Sequence, residues 1–384
     1  MSPTKGGKVD LRLVLTKKDW NEFIELPWSI YKGDPHWVPP LRIAVRDVLN
    51  VEKNPFFRHA YMHPVLAYQG DKLVGRVVGV VDESNNTYHE EKCAFFGFFE
   101  CIDDQTVANA LLDEVARWAQ SKGMTTIRGP MNPSTNHECG LLVEGFNDSP
   151  AVMMTYNPQY YLTLLENYGF KKAKDLYAYE INSARKFSEK LLAQAERLRQ
   201  NAQIKFRPVR MKDFDAEIDR IIDIYNDAWE KNWGFVPMAP EEFRHMARDM
   251  KAIVDPELLL IAEVRGEAVG FGLALPDVNM AIKRVKNGKL FPTGIFKLLW
   301  FLKGPGRKKT SRCRIVTLGI KKAYRELGLG PLFYAEYFKR GPAQGYPAGE
   351  ASWILEDNIA MNRAAEHMAG KRTKAYRIFE KSLV

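Results

Sequence analysis

The sequence predicts a protein of the α/β (α+β) class built twice on one plan, each copy a mixed, mostly antiparallel sheet flanked by helices. Three observations predict it. In each half several strands precede the main helix, so neither half shows the regular strand–helix alternation of a doubly wound parallel sheet. The stretch LAYQGDKLVG beginning at Leu66 returns as IAEVRGEAVG beginning at Ile261, an offset of 195. Between the halves, residues 184–201 place Phe187, Leu191, Leu192, Ala195 and Leu198 at helical spacing, which makes them a connector.

Further pairs support the duplication. Ile30 and Tyr31 match Ile224 and Tyr225 at an offset of 194, and Asn157 and Gly169 match Asn358 and Gly370 at 201. Domains are therefore expected at 1–183 and 204–384, joined by the helical connector 184–203, with a basic, aromatic insertion at 280–314 of the second copy.

In the first half, 17–31 is predicted helical and is broken by Asp34-Pro35 and Pro39-Pro40. Strands rich in Val and Phe follow near 64–69, 73–82 and 93–102. Val107, Leu111, Leu112, Val115, Ala116 and Ala119 mark a helix that Gly123 ends. A strand near 125–129, a long loop, a strand near 151–156, a helix near 158–167 and a strand near 174–181 complete the copy. The second half runs through strand 204–209, helices near 213–231 and 240–253, and strands near 257–264 and 268–276. After the insertion come strand 314–320, helix 329–341, strand 348–354, helix 358–368 and strand 374–381.

Composition narrows the function classes. The chain has 384 residues, 46% of them hydrophobic and 27% charged, enough for sizeable cores and against wholesale disorder. No apolar run approaches the ~20 residues that span a bilayer. The polar start, Met1 to Lys18, lacks the apolar core of a secretory signal, so a cytoplasmic location is expected. Cys93, Cys101, Cys139 and Cys313 form no metal-binding spacing, so no metal is expected and the thiols read as core. His137 and Cys139 suggest a Cys–His nucleophile, but residues this close rarely point together.

The formal net charge of +9 invites a nucleic-acid reading until it is located. Eleven Lys or Arg and no Asp or Glu lie between Lys283 and Arg314, and they leave the rest of the chain slightly acidic. The basicity belongs to one insertion, so no nucleic-acid partner is expected. Within it, Phe291, Ile295, Leu298, Leu299 and Leu302 fit one helical face, with Phe296 and Trp300 on its flank. Such a helix suits peripheral membrane contact through 290–303, a lid over an acyl or amphiphilic acceptor, or plain packing over the core.

The most informative segment is VTLGIKKAYRELGLGPLFY from Val316 to Tyr334. An apolar strand ends near Ile320, a short turn follows, and Arg325-x-x-Gly328-Leu329-Gly330 opens a helix. Glycines let backbone N–H groups approach a ligand, and a helix N-terminus favours a pyrophosphate. Pro331 suits the first turn, and Arg325 can clamp phosphate oxygens with its forked donors. No Gly-Lys-Ser/Thr follows, so this is not a Walker loop, and it lacks the setting of a dinucleotide fingerprint.

This segment resembles the acyl-CoA-binding motif of the GNAT superfamily, the acyl-CoA N-acyltransferases. The stretch WILEDN from Trp353 to Asn358, the helix to Met368, Gly370 and the strand around Tyr376–Phe379 resemble that family's closing elements. The resemblance covers nearly the whole chain as a tandem pair, but the cradle motif occurs only in the second copy. The resemblance implies that Arg325, Gly328, Leu329 and Gly330 hold the pyrophosphate of acetyl-CoA or another acyl-CoA. Leu318, Gly319 and Ile320 would then hold the pantetheine arm and thioester carbonyl, and Asn358 would lie beside the thiol.

Departures leave the proton carriers open. Lys322, Glu326 and Leu327 replace a common Pro, Gly and basic residue. The position of the tyrosine that often acts as general acid is Glu366, with His367 next to it. Glu350 and Glu356 are candidate bases, each also explicable as a strand-edge charge. In the first copy the cradle position reads ECIDDQTVA from Glu100, with acids where a phosphate would sit, so that copy is not expected to bind CoA. The polar loop 129–150 would then shape the acceptor site or simply close one domain. An acyl-CoA-dependent N-acyltransferase acting on an unidentified small-molecule or peptide amine is the leading reading. A non-catalytic acyl-CoA-binding regulator and a tandem GNAT-like aminoacyl transferase are the alternatives.

Overall fold

A computed structural model describes residues 7–230, 232–302, 304 and 311–384. The remaining positions include Lys303 and Arg307 to Lys309, so those charges of the insertion lie outside the described residues. The chain divides into two units. One comprises the residues up to Leu176 together with Val285–Leu290 and Ala375–Val384, and the other comprises Tyr177–Arg284 and Phe291–Lys374. The division is thus not a single cut near residue 183: the chain's last ten residues belong with its first half.

The first unit opens with β1 (Val9–Leu13) and α1 (Lys17–Ile30). Thr16 and Asp19 cap that helix reciprocally, satisfying two N–H groups the first turn leaves free. Next come α2 (Arg42–Val48), β2 (Ala60–Gln69), β3 (Lys72–Asp82), α3 (Glu83–His89) and β4 (Cys93–Cys101). Asp104 caps α4 (Gln105–Ser121), whose buried Val107, Leu111, Leu112 and Val115 form the stripe read from the sequence. The unit continues with β5 (Thr126–Gly129), β6 (Met131–Asn132), β7 (Glu138–Cys139), β8 (Leu141–Glu144), α5 (Tyr160–Asn167) and β9 (Lys171–Asn182), whose last six residues belong to the second unit. The strand expected near 151–156 is absent. The strand lies at 141–144 instead, and Asn157 pairs with the backbone N–H and carbonyl of Leu142, so a side chain takes the place of a ladder.

In the second unit α6 (Glu189–Arg199) precedes β10 (Ile204–Pro208), α7 (Phe214–Trp229), α8 (Pro240–Met250), β11 (Leu259–Val264) and β12 (Glu267–Pro276). Then follow α9 (Asn279–Ile282), α10 (Gly294–Leu302), β13 (Arg312–Ile320), α11 (Gly330–Ala343), β14 (Ala348–Leu355), α12 (Ile359–His367) and β15 (Lys371–Ser382). From Ala375 onward β15 belongs to the first unit, where it pairs with β5 and β8.

In each unit the strand pairing is mixed and mostly antiparallel. The order within the first is β1-β2-β3-β4-β5-β15, and within the second β14-β13-β12-β11-β10. Each has one short parallel pairing, β4 with β5 over Cys93–Phe95 and β13 with β14 over Arg312–Ile315. In the first unit's core Phe96, Phe170 and the C-terminal strand's Phe379 lie together with the apolar face of α4. The second unit has one cluster around Leu260, Phe333 and Tyr337, and another around Tyr334, Ile354 and Met368. All four cysteines are buried and none is in a disulfide, and burial pushes the Cys93 and Cys313 thiols up to about 12. Among the described residues no helix is long and apolar enough to cross a membrane.

Candidate active site

The site in the second unit is made by two strands that part. β13 and β14 pair only as far as Ile315 and Ala351, although β13 continues to Ile320 and β14 to Leu355. Just there β13 carries a bulge. Leu273 faces Thr317 and Ala274 faces Ile315, so Val316 is an extra residue against β12. A bulge bends its strand and strengthens the local twist, which turns the free end of β13 away from its neighbour. The N–H and C=O groups of β13 facing β14 beyond Ile315 are left without a strand partner. On the same stretch the Thr317 hydroxyl is buried with no hydrogen-bond partner among the described residues. A buried, unsatisfied hydroxyl near an open strand edge leaves polar groups that an extended ligand could pair with.

The glycine loop lies just beyond the open end of β13. Residues 322–327 form a 3-10 turn, Gly328 adopts φ 68°, and Leu329 leads into α11 with no side-chain cap. Gly328 stands at the end of the turn in the left-handed conformation, which costs other residues strain. Arg325 through Gly328 are all exposed, so the entrance is open to solvent, while Leu329 is buried beneath it.

The C-terminal end of α7 clamps the loop. Arg325 donates through Nη2 to the Ala228 carbonyl at 2.6 Å, and the Lys322 N–H donates to Asp227 at 2.6 Å. Lys321 bridges Asp223 and Glu267. Burial alone would depress the Lys321 ammonium, but the two carboxylates hold its pKa above the ordinary value.

Gly319 has a different local reason. A Cβ there would stand 2.2 Å from the Trp229 ring, so the glycine lets the last residue of α7 lie against β13. Leu318 packs against the cluster that contains Tyr334 and Ile354. Asn358 caps α12, its Oδ1 accepting the Met361 N–H at 3.1 Å.

The candidate proton carriers are scattered. Glu350 is 2% exposed and held by Lys374 at 3.0 Å. The Ser352 hydroxyl donates to it at 2.8 Å and accepts from Arg314 Nε at 2.9 Å. Glu356 is half-buried just past the end of β14, two residues before Asn358. His367 is the exposed last residue of α12, about 12 Å along the axis from Ile359.

Sequence reasoning missed Tyr334. It stands four residues after Gly330, so its side chain turns back over the loop. Its hydroxyl lies 3.3 Å from Met361 Sδ and 3.5 Å from where a Cβ on Gly330 would be. The phenol thus sits between the glycine loop and the first turn of α12, and burial pushes it up to about 12. The i, i+4 spacing from Gly330 was the signal that could have found it.

The first unit repeats the frame and fills the gap. β4 uses Phe98 and Phe99 where β3 uses Val77 alone, again a bulge, and pairing with β5 ends at Phe95 and Arg128. Here, however, a Cβ on Gly97 would fall 1.7 Å from the Met131 carbonyl oxygen, and Asn132 Oδ1 accepts the Phe98 N–H at 2.6 Å. The chain's own β6 covers the edge that stays open in the second unit. His137, not expected to act as a partner for Cys139, has its Nδ1 2.9 Å from the Ser134 hydroxyl.

No family model matches the chain. It is 36% identical over 375 residues to the bacterial ceramide synthase of Caulobacter vibrioides, covering 96% of each chain. It is 33% identical over 378 residues to Protein YghO of Escherichia coli, covering 97% of this chain and 95% of that one. In fold it resembles a tandem GNAT protein from the clavulanic acid biosynthesis pathway, with a TM-score of 0.57, 10% identity, and coverage of 98% of this chain and 99% of that one. A GCN5-related N-acetyltransferase from Sphaerobacter thermophilus gives 0.53 at 13% identity, covering 98% and 96%. The chain belongs to one family with the bacterial ceramide synthase and YghO, and its fold is that of the tandem GNAT proteins.

Proposed function

We propose that this protein transfers an acyl group from acyl-CoA to the primary amine of a long-chain amino alcohol, making an amide lipid. The observation that carries the reading is the parting of β13 from β14 at the Val316 bulge, next to an open glycine-lined helix entrance. The acceptor class is taken from the 36% identity to a bacterial ceramide synthase across nearly the full length of both chains, since a ceramide is an N-acylated long-chain amino alcohol.

In this reading the N–H groups of Leu329 and Gly330 at the entrance to α11 and the Arg325 guanidinium take the pyrophosphate; Pro331 has no N–H and the Leu332 N–H already donates to the Leu329 carbonyl. The open edge from Leu318 to Ile320 takes the pantetheine amides. Asn358 uses its Oδ1 as a cap and keeps its Nδ2 as a donor to the arm. A thioester needs little activation, so orientation and charge placement do most of the catalysis. The amine nitrogen attacks the carbonyl carbon, its surplus proton passes to Glu356 directly or through water, and the C–S bond breaks. The Tyr334 phenol, protonated at neutral pH, donates a hydrogen bond to the departing sulfur. Glu350 and Lys374 hold β14 from within, and His367 at the far end of α12 takes no part. The first unit, with β6 laid over the matching edge, carries no CoA.

The test is thermal shift with CoA and with acyl-CoAs from acetyl upward, followed by thiol release with a long-chain amino alcohol. Saturating ligand at a hundred times Kd stabilises by about 2.7 kcal/mol. Arg325→Ala is expected to weaken CoA binding roughly tenfold to a hundredfold, as loss of a charge-assisted hydrogen bond does. An unchanged shift in that variant would move the nucleotide tail away from this loop.

A further inference from the structure

We propose that α10 and its basic flanks form a docking surface for a bilayer carrying anionic lipid headgroups, an inference that rests on the amide-lipid reading for its purpose but not for its geometry. Leu298 and Phe301 of α10 are buried at 8% and 7% exposure, so one side of the helix packs on the second unit. The other side is apolar as well. Phe296 is 71% exposed, and Leu299 and Trp300, three and four residues on, are each 43% exposed. That spacing puts all three on one face, and Phe291 just ahead of the helix is 66% exposed. A helix apolar on both its packed and its outer side belongs in a core or in lipid, because water leaves the outer apolar face uncompensated.

The charge beside this face selects the occupant. Lys297 is exposed on its flank, and exposed Arg284, just after α9, lies with its guanidinium 5.6 Å from the Phe301 ring. The sequence has no Asp or Glu from Lys283 to Arg314. Exposed Phe, Leu and Trp set among Lys and Arg with no acid present is the pattern that inserts shallowly into an anionic interface. An acceptor with long alkyl chains resides in such an interface, so docking would bring the enzyme to its substrate.

The test uses the whole protein and vesicles of phosphatidylcholine with or without phosphatidylglycerol, read by co-sedimentation. Binding is expected at least about tenfold tighter to the anionic vesicles and weakened by salt. The double variant Phe296→Ser/Trp300→Ser is expected to lose about tenfold or more in vesicle binding with an unchanged melting temperature. Lys297→Glu is expected to weaken binding to anionic vesicles only. Equal binding of wild type and double variant, or none by either, overturns the proposal. So does sedimentation showing that the double variant converts a dimer to a monomer, since a second copy would then cover the face. Thiol release with a long-chain amino alcohol dispersed in detergent, without vesicles, separates this inference from the acyl-transfer reading: if vesicles bind and no thiol is released, that reading falls and the docking surface stands.

Discussion

Trp229 reaches β13 because residue 319 has no side chain. A methyl at Gly319 would stand 2.2 Å from the indole, closer than real contacts allow, and the ring is already stacked on Tyr225 at 4.8 Å. The indole therefore cannot swing away without disturbing α7. Gly319→Ala is expected to cost about 1–3 kcal/mol, the usual price of overpacking, measurable as a lowered urea midpoint with unchanged slope. A midpoint equal to the parent's would mean that α7 gives way freely. Tyr334 makes the complementary case, a residue whose removal leaves packing nearly intact. Tyr334→Phe keeps the ring in its cluster and removes only the hydroxyl beside Met361 Sδ. If that hydroxyl steadies the departing sulfur, turnover falls about a hundredfold while the CoA-induced thermal shift stays. A variant with full turnover would remove Tyr334 from the chemistry.

At the scale of the element, strands and helices with strong periodicity were legible and the devices that shape the site were not. The stripe of α4 and the Gly328-Leu329-Gly330 entry to α11 follow from spacing, and both are present. The Val316 bulge has no sequence mark of its own, because it arises from how β13 meets β12. The expected strand near 151–156 failed because Asn157 supplied side-chain hydrogen bonds that an apolar pattern does not announce. Long-range charge pairs were equally hidden. In the first unit Arg377 of β15 binds Asp175 of β9 with two hydrogen bonds, 2.8 and 3.1 Å, and Lys172 adds a third contact at 2.9 Å. Burial pushes the Asp175 carboxyl up, but these cations outweigh it and hold its pKa below the ordinary value. A carboxyl depressed in the folded state stabilises above its unfolded pKa, about 4, and loses that contribution as pH falls. Denaturant midpoints measured from pH 6 down to pH 3 should therefore drop less steeply for Asp175→Asn than for the parent. Parallel curves would mean that the pair contributes nothing to acid sensitivity.

For the whole molecule, the repeat in the sequence correctly signalled two copies of one frame, since each unit has a bulged strand and a short parallel pairing at matching places. It did not disclose that the first unit is completed by the chain's last ten residues, because offsets between similar segments say nothing of which copy a strand joins. Along Ala375–Val384, Phe379 faces Gly129 and Ser382 faces Thr126 on β5, and Tyr376, Ile378 and Phe379 are at most 1% exposed. Burying each such side chain contributes about 1.5–3 kcal/mol, so together they rival the whole stability of an ordinary domain, about 5–15 kcal/mol. Without them, β5 would also become an unprotected edge inviting aggregation. A fragment of residues 1–183 is therefore expected to show no cooperative thermal transition. The same fragment with Ala375–Val384 attached through a flexible linker should recover one, because the linker costs only loop-closure entropy. Cooperative melting of the bare fragment at the temperature of the joined one would show that the first half closes its sheet without the borrowed strand.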